Sequence, residues 1–77
     1  MQTDLIDRLC EIFVTTGDTR SQDAVGRVLQ GVVVAQGKRV GAVRVLDTPA
    51  YAVHLAGAKG RLVVWRKDGN EFGGVDL

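Results

Sequence analysis

Apolar residues in the first part of the chain recur at three- and four-residue spacing. When the chain is wound as a helix, six of these residues fall on one stripe: Leu5, Ile6, Leu9, Cys10, Ile12 and Phe13. Polar and charged residues occupy most of the other positions, as they do on the solvent side of an amphipathic helix. The pattern predicts a first helix over residues 4–15, which Gly17 would terminate.

A second and shorter helical pattern covers residues 21–30. Thr19 followed by Gln22 has the form of a capping box at its start, and Gly31 follows as a C-terminal breaker. Gly26 in the middle of this segment disfavours helix by about 1 kcal/mol relative to alanine. The apolar positions share one face of the predicted helix: Ala24, Val25, Val28 and Leu29.

After Gly31 the pattern changes to valine-rich runs separated by glycine, proline, asparagine and aspartate. Such runs predict strands, and their short connections favour an antiparallel meander. We therefore expect an α+β fold in which two N-terminal helices pack on a C-terminal antiparallel meander of three to five strands. The chain is predicted to be one domain, helical over 1–31 and β over 32–77. The predicted strands lie near 32–36, 39–46, 50–56, 61–67 and 70–75.

The last two predicted strands form a hairpin whose register follows from its turn. Asp68-Gly69 is a favoured two-residue type I′ turn. Counting outward from it aligns opposite charges, aromatic residues and apolar residues, and a slip of one residue would lose all of these pairs together. The predicted pairs are Lys67 with Asn70, Arg66 with Glu71, Trp65 with Phe72, Leu62 with Val75 and Arg61 with Asp76.

The same patterns predict which side chains form the core. They are apolar residues on the helical stripes and on one face of the later strands. We expect contributions from Leu5, Leu9, Ile12, Phe13, Val28, Leu29, Val53, Leu62 and Val64.

The chain of 77 residues has room for one hydrophobic core, and 45% of its residues are apolar. Its single cysteine, Cys10, cannot form an internal disulfide, which is typical of a reducing compartment. We therefore expect a cytoplasmic protein. The longest uninterrupted apolar run, residues 32–35, is far below the roughly 20 residues that span a bilayer. A homodimer is an open alternative, because association is one way to stabilise so short a chain.

Catalytic chemistry finds little support in the sequence. A nucleophile such as Cys10 or Ser21 needs a base within hydrogen-bond reach, and nothing in the spacing connects either residue to His54. The glycine-rich segment 57–60 lies between two predicted strands, whereas a phosphate-binding loop leads into a helix. We predict a protein that is not an enzyme, with no catalytic residue, no metal site and no cofactor.

Charge is distributed unevenly along the chain. The net charge is −2 over residues 1–37, +6 over 38–67 and −3 over 68–77. A basic surface of this size attracts anionic partners, although exposed lysines also protect sheet edges from aggregation. The candidate partner-binding residues are the seven cations of the middle segment and the two aromatic residues among them: Lys38, Arg39, Arg44, Lys59, Arg61, Arg66, Lys67, Tyr51 and Trp65.

Two functions remain open. The first is a small protein-binding regulator or inhibitor that occupies a surface of a larger protein, with an acidic surface on that protein as the expected partner. The alternative is a nucleic-acid-binding regulator, either winged-helix-like or using a basic β-hairpin. In the winged-helix case Ser21, Gln22 and Arg27 would enter a groove, but the helical segment is net acidic and the sequence pI is about 7.9.

Overall fold

The computed structural model describes residues 2–57, 60–69 and 72–76. Two helices precede five strands, and each strand pairs antiparallel with its neighbour in sequence, in the order β1-β2-β3-β4-β5. This arrangement confirms the predicted α+β fold with N-terminal helices and a C-terminal antiparallel meander. The elements are α1 (Gln2–Thr15), α2 (Thr19–Gln36), β1 (Lys38–Val40), β2 (Val43–Asp47), β3 (Tyr51–Ala56), β4 (Arg61–Arg66) and β5 (Phe72–Asp76).

Helix α2 continues six residues beyond its predicted end, so the strand predicted at 32–36 is wrong. Leu29 and Val33 lie one turn apart on the face that packs into the core, and both are fully buried. The helix ends at Gly37, whose N–H donates to the Val33 carbonyl at 2.8 Å. Gly31 is exposed and does not stop the helix. Tertiary burial of the valine side chain therefore outweighs the β propensity of this run.

The start of α2 is capped one residue earlier than predicted. The Asp18 carboxylate accepts hydrogen bonds from the Ser21 backbone N–H at 3.1 Å and from its hydroxyl at 2.7 Å. The predicted capping box of Thr19 and Gln22 is therefore wrong. Instead, the Gln22 side-chain amide donates to the Phe13 carbonyl at 3.3 Å, which ties the beginning of α2 to the end of α1.

The single strand predicted over 39–46 is a hairpin of two strands. Val40 pairs with Val43, which leaves Gly41 and Ala42 as a two-residue loop. Gly41 has φ of 63° and no other residue of the loop has a positive φ, which is the pattern of a type II′ turn. A glycine inside a valine-rich run therefore marks a reversal of the chain.

The register predicted for the last hairpin is confirmed wherever the chain is described. Arg61 pairs with Asp76, Leu62 with Val75 and Trp65 with Phe72. The turn type is wrong, because neither Asp68 nor Gly69 has the positive φ that a type I′ turn requires. The Gly69 N–H instead contacts the Arg66 carbonyl at 3.5 Å. The predicted pairs that involve Asn70 and Glu71 lie outside the described residues.

The core lies between the two helices and one face of the sheet. Its buried side chains come from α1 (Ile6, Cys10, Phe13), α2 (Leu29, Val33), β3 (Tyr51, Val53, Leu55) and β4 (Leu62, Val64). Five predicted core residues are confirmed as fully buried: Phe13, Leu29, Val53, Leu62 and Val64. Leu9 is partly buried and packs against this cluster.

The prediction of core burial is wrong for three residues, which are exposed. Leu5 is 62% exposed, Ile12 43% and Val28 53%. Within the predicted stripe of α1 the buried residues are Ile6, Cys10 and Phe13, because a helix that lies on a sheet buries one narrow face and leaves its flanks in solvent. The apolar flank on each helix made the orientation of the buried face ambiguous in the sequence.

Candidate docking surfaces on the sheet

The predicted basic residues lie on both faces of the sheet. Residues paired across antiparallel strands share a face, so Arg44, paired with Leu55, and Arg66, paired with Tyr51, lie on the face that the helices cover. Arg39, paired with Arg44, lies on that same face. Lys38 and Arg61 lie on the opposite face. Lys59 lies outside the described residues. The cations therefore do not form one continuous basic face.

Three of these cations have a carboxylate partner. Arg61 lies 3.9 Å from Asp76, which matches the predicted cross-strand pair, and Lys67 lies 4.0 Å from Asp47. Arg66 forms an ion pair with Glu11 of α1. The first pair is highly exposed and contributes little to stability, but each pair neutralises a residue that the sequence had assigned to a binding surface.

A polar cluster joins α1 to the sheet. The Glu11 carboxylate accepts hydrogen bonds from the Tyr51 hydroxyl and from the Arg66 guanidinium, which lies 5.9 Å from the centre of the Tyr51 ring. The hydrogen bond from Tyr51, followed by that from Arg66, lowers the pKa of Glu11. Burial, followed by the bond to Glu11, raises the pKa of the Tyr51 phenol. Both predicted binding residues thus contact the protein's own first helix.

A second hydrogen bond anchors α1 to the turn between β2 and β3. The Thr48 hydroxyl donates to the Asp7 carboxylate. The same oxygen accepts the Tyr51 N–H at 2.9 Å, and the Thr48 N–H donates to the Tyr51 carbonyl at 2.9 Å. This end of the sheet is therefore occupied by interactions that hold the helix in place.

The sheet face opposite the helices is apolar, and no element of the described chain covers it. We call it the outer face, and it consists of Val43, Val45, Ala52, His54, Ala56, Val63 and Trp65. All but Trp65 are half-buried by their neighbours in the sheet, and Trp65 is 37% exposed. The His54 and Trp65 rings pack edge to face at 4.6 Å. The charged residues at its margin, the charged rim, are Lys38, Asp47, Arg61, Lys67 and Asp76.

Sequence reasoning selected Trp65 but missed the rest of the outer face. The signal was present in β3 and β4, where apolar residues occur in both alternating sets. A sheet with one solvated face normally alternates apolar and polar residues. Apolar residues in both alternating sets of an antiparallel strand thus indicate that the two faces of the sheet are both largely apolar.

The β1–β2 hairpin, which we call the basic hairpin, carries the other described cations among the candidate partner-binding residues: Lys38, Arg39 and Arg44. No carboxylate among the described residues forms an ion pair with any of them. The Nε of Arg39 donates a hydrogen bond to the Gly41 carbonyl at 3.3 Å. Beside this hairpin a shallow depression of about 380 Å³ forms where β2 extends beyond β1, lined in part by Lys38, Val40 and Asp47.

The candidate catalytic residues are not brought together. Cys10 lies in the core between the helices and the sheet, and His54 lies on the outer face. Burial, with a smaller effect of Asp7, raises the pKa of the Cys10 thiol to about 12, so the thiol stays protonated at neutral pH. The Ser21 hydroxyl donates to Asp18. Among residues 2–57, 60–69 and 72–76 no group of three potential metal ligands occurs.

The groove-reading residues of the winged-helix alternative are partly engaged within the protein. Ser21 and Gln22 each make intramolecular hydrogen bonds, and Arg27 is exposed on α2. Helix α2 also packs along its length against the sheet.

Comparison with known proteins adds no functional assignment. None of the helices in the described chain is long and apolar enough to cross a membrane. No family model matches this sequence, and neither a curated protein nor a solved structure matches it.

Proposed function

We propose that this protein is a non-catalytic protein-binding regulator that acts by docking the outer face on a larger partner protein. One observation carries the proposal: five antiparallel strands bury one face under two helices and leave a second, largely apolar face that no described element covers. Contiguous apolar surface of this kind is typical of a site that another molecule covers.

The size of the outer face suits the centre of a protein interface. Its residues lie on β2, β3 and β4, and three strands about 4.8 Å apart and five to six residues long give a face of roughly 250 Å². A standard interface buries about 800 Å² on each partner, with an apolar centre surrounded by a polar rim. The outer face supplies such a centre and the charged rim supplies its surroundings. Trp65 has the side chain most often found to dominate binding energy.

The charged rim indicates the chemistry of the partner. It holds three cations and two carboxylates, Asp47 and Asp76, so a small positive excess surrounds the apolar centre. The complementary surface is an apolar patch bordered by more acidic than basic residues. The proposal therefore keeps the acidic partner surface expected from the sequence. The apolar outer face supplies the binding affinity, and the cations of the charged rim orient the partner.

The test compares two variants that each introduce one exposed lysine. Val63→Lys places a charge in the middle of the outer face. Val34→Lys, on the solvent side of α2 where valine is 51% exposed, is the matched control. Proteins captured from the native cell by the wild type are purified, and binding of each is measured by calorimetry. We expect Val63→Lys to weaken binding at least about tenfold, because docking would bury the lysine charge without a partner. We expect Val34→Lys to leave binding unchanged.

Two results would contradict the proposal. One is a purified partner that binds Val63→Lys as tightly as the wild type while thermal unfolding shows that both are folded. The other is a concentration-dependent dimer of the isolated chain that Val63→Lys dissociates and Val34→Lys does not. That dimer would show that a second copy, and not a larger partner, covers the outer face.

A further inference from the structure

The basic hairpin lies at an open edge of the sheet. β1 is the terminal strand, and within the described chain no strand pairs with its outer edge. All three of its residues are exposed. An unpaired strand edge presents a row of backbone donors and acceptors that an extended peptide can complete.

Two arginines face each other beside this edge. Arg39 and Arg44 are direct cross-strand partners on the same face. Side chains in this relation have Cβ atoms about 4.5–5.5 Å apart, and like charges directly opposite are destabilising. Arg61, Arg66 and Lys67 each have a carboxylate partner, whereas these two arginines, like Lys38, have none among the described residues. A carboxylate placed between the two guanidinium groups would relieve the repulsion and could accept paired hydrogen bonds.

Strand alternation specifies what an added strand would need. Arg39 points to one side of β1, while Lys38 and Val40 point to the other. A segment paired with β1 would therefore place its residue opposite Arg39 near the arginine pair. The residues on either side of that position in the segment would lie opposite Lys38 and Val40. The Val40 side chain is accessible to such a segment, because it is 62% exposed.

From this alternation we propose that the outer edge of β1 binds an extended acidic segment of a partner protein by strand addition. The segment carries two consecutive acidic residues, opposite Arg39 and Lys38, and an apolar residue opposite Val40. The inference rests on the proposed function only in taking the partner to be a protein. Its site is separate from the centre of the outer face, so each can fail without the other.

A defined peptide tests the proposal. The probe is a fluorescein-labelled peptide with the core Val-Glu-Glu-Val, which presents the required order in either strand direction. Its control has the core Val-Gln-Gln-Val. Fluorescence anisotropy is measured against the wild type, the double variant Arg39→Gln/Arg44→Gln, and Arg61→Gln, whose arginine pairs with Asp76 at the opposite side of the sheet.

We expect the glutamine peptide and the double variant each to weaken binding by about tenfold, because both remove charge-assisted hydrogen bonds. Arg61→Gln should stay within about twofold of wild type, since its effect would act only through screened long-range charge. N-methylation of the probe backbone at alternate residues should abolish binding, which a purely ionic contact would not show. Val63→Lys should leave peptide binding unchanged, so that failure of the outer-face proposal remains distinguishable.

Three results would overturn the proposal. If the wild type does not bind the acidic peptide, the cations only protect the edge from aggregation. If the N-methylated probe binds as well as the parent peptide, the contact is not strand addition. If random-sequence RNA binds more tightly than the peptide, with a steep salt dependence that Arg39→Gln/Arg44→Gln reduces, the hairpin is a phosphate-binding surface.

Discussion

Replacement of glycine by alanine should have opposite effects on stability at two positions in α2. Gly26 is buried where the helix crosses α1 and the sheet, and Gly31 is exposed. A Cβ atom at Gly26 would lie 3.1 Å from Phe13 Cε1 and 3.1 Å from Val75 Cγ1. A Cβ atom at Gly31 would meet nothing within 4 Å. Alanine is therefore crowded at the first position and free at the second.

The crowding at Gly26 cannot easily relax. Phe13 is fully buried, and the other edge of its ring lies 3.2 Å from where a Cβ atom of Gly73 would be. The ring thus occupies the space that two glycines leave between α2 and β5. Overpacking of a tight core is unfavourable by about 1–3 kcal/mol, while the gain in helix propensity from glycine to alanine is about 1 kcal/mol. If overpacking is unfavourable by about 2 kcal/mol, the middle of that range, Gly26→Ala lowers the free energy of unfolding by about 1 kcal/mol.

Gly31→Ala gains the same helix propensity without overpacking, because its Cβ atom would meet nothing within 4 Å. It should therefore stabilise the protein by about 1 kcal/mol. The two variants should then differ by about 2 kcal/mol, which for a domain of this size separates their Tm values by about 8–16 °C. Thermal unfolding followed by circular dichroism measures both against the wild type. A Gly26→Ala protein that gains as much stability as Gly31→Ala would refute the packing of Phe13 between the two glycines.

The other predictions concern the anchor of α1 and the buried thiol. Because the pKa of Glu11 is lowered in the folded protein, its contribution to stability is present above its ordinary pKa of about 4.3 and is lost as the pH falls through the lowered value. Glu11→Gln should therefore lower Tm at pH 7 and flatten its fall between about pH 5 and 3, and a Tm–pH slope identical to wild type would contradict the cluster with Tyr51 and Arg66. Cys10 should react with a thiol reagent only as fast as the protein unfolds, because it is fully buried with a pKa raised to about 12. Rapid labelling under native conditions, measured by mass spectrometry, would contradict that burial.

Local patterns in the sequence were sufficient for the elements whose stability is local. The amphipathic repeat of α1 and the register of the β4–β5 hairpin both depend on residues close together along the chain. The meander topology follows from short connections in the same way. An ion pair can also be predicted locally when its two residues face each other across one hairpin, as Arg61 and Asp76 do.

Other features depended on which distant surfaces meet. Residues 32–36 are valine-rich and favour a strand, but Val33 is buried in helical form against the sheet. Arg66 pairs with Glu11 across 55 positions of sequence, a contact that no local spacing indicates. Leu5 and Leu9 lie on the same helical stripe in sequence, yet only Leu9 packs against the core.

The candidate sites divide in the same way. The sequence by itself determined that a basic middle segment lies on strands, because charge and strand propensity are both read residue by residue. Which cations are neutralised, and which sheet face the helices leave open, were decided by the packing of α1 and α2 on one side of the sheet. Strand alternation places residues in two sets but does not say which set meets a helix when both are apolar. Only the tertiary structure, by burying Val53 and Leu62 under the helices, left Val45 and Val63 on the open side.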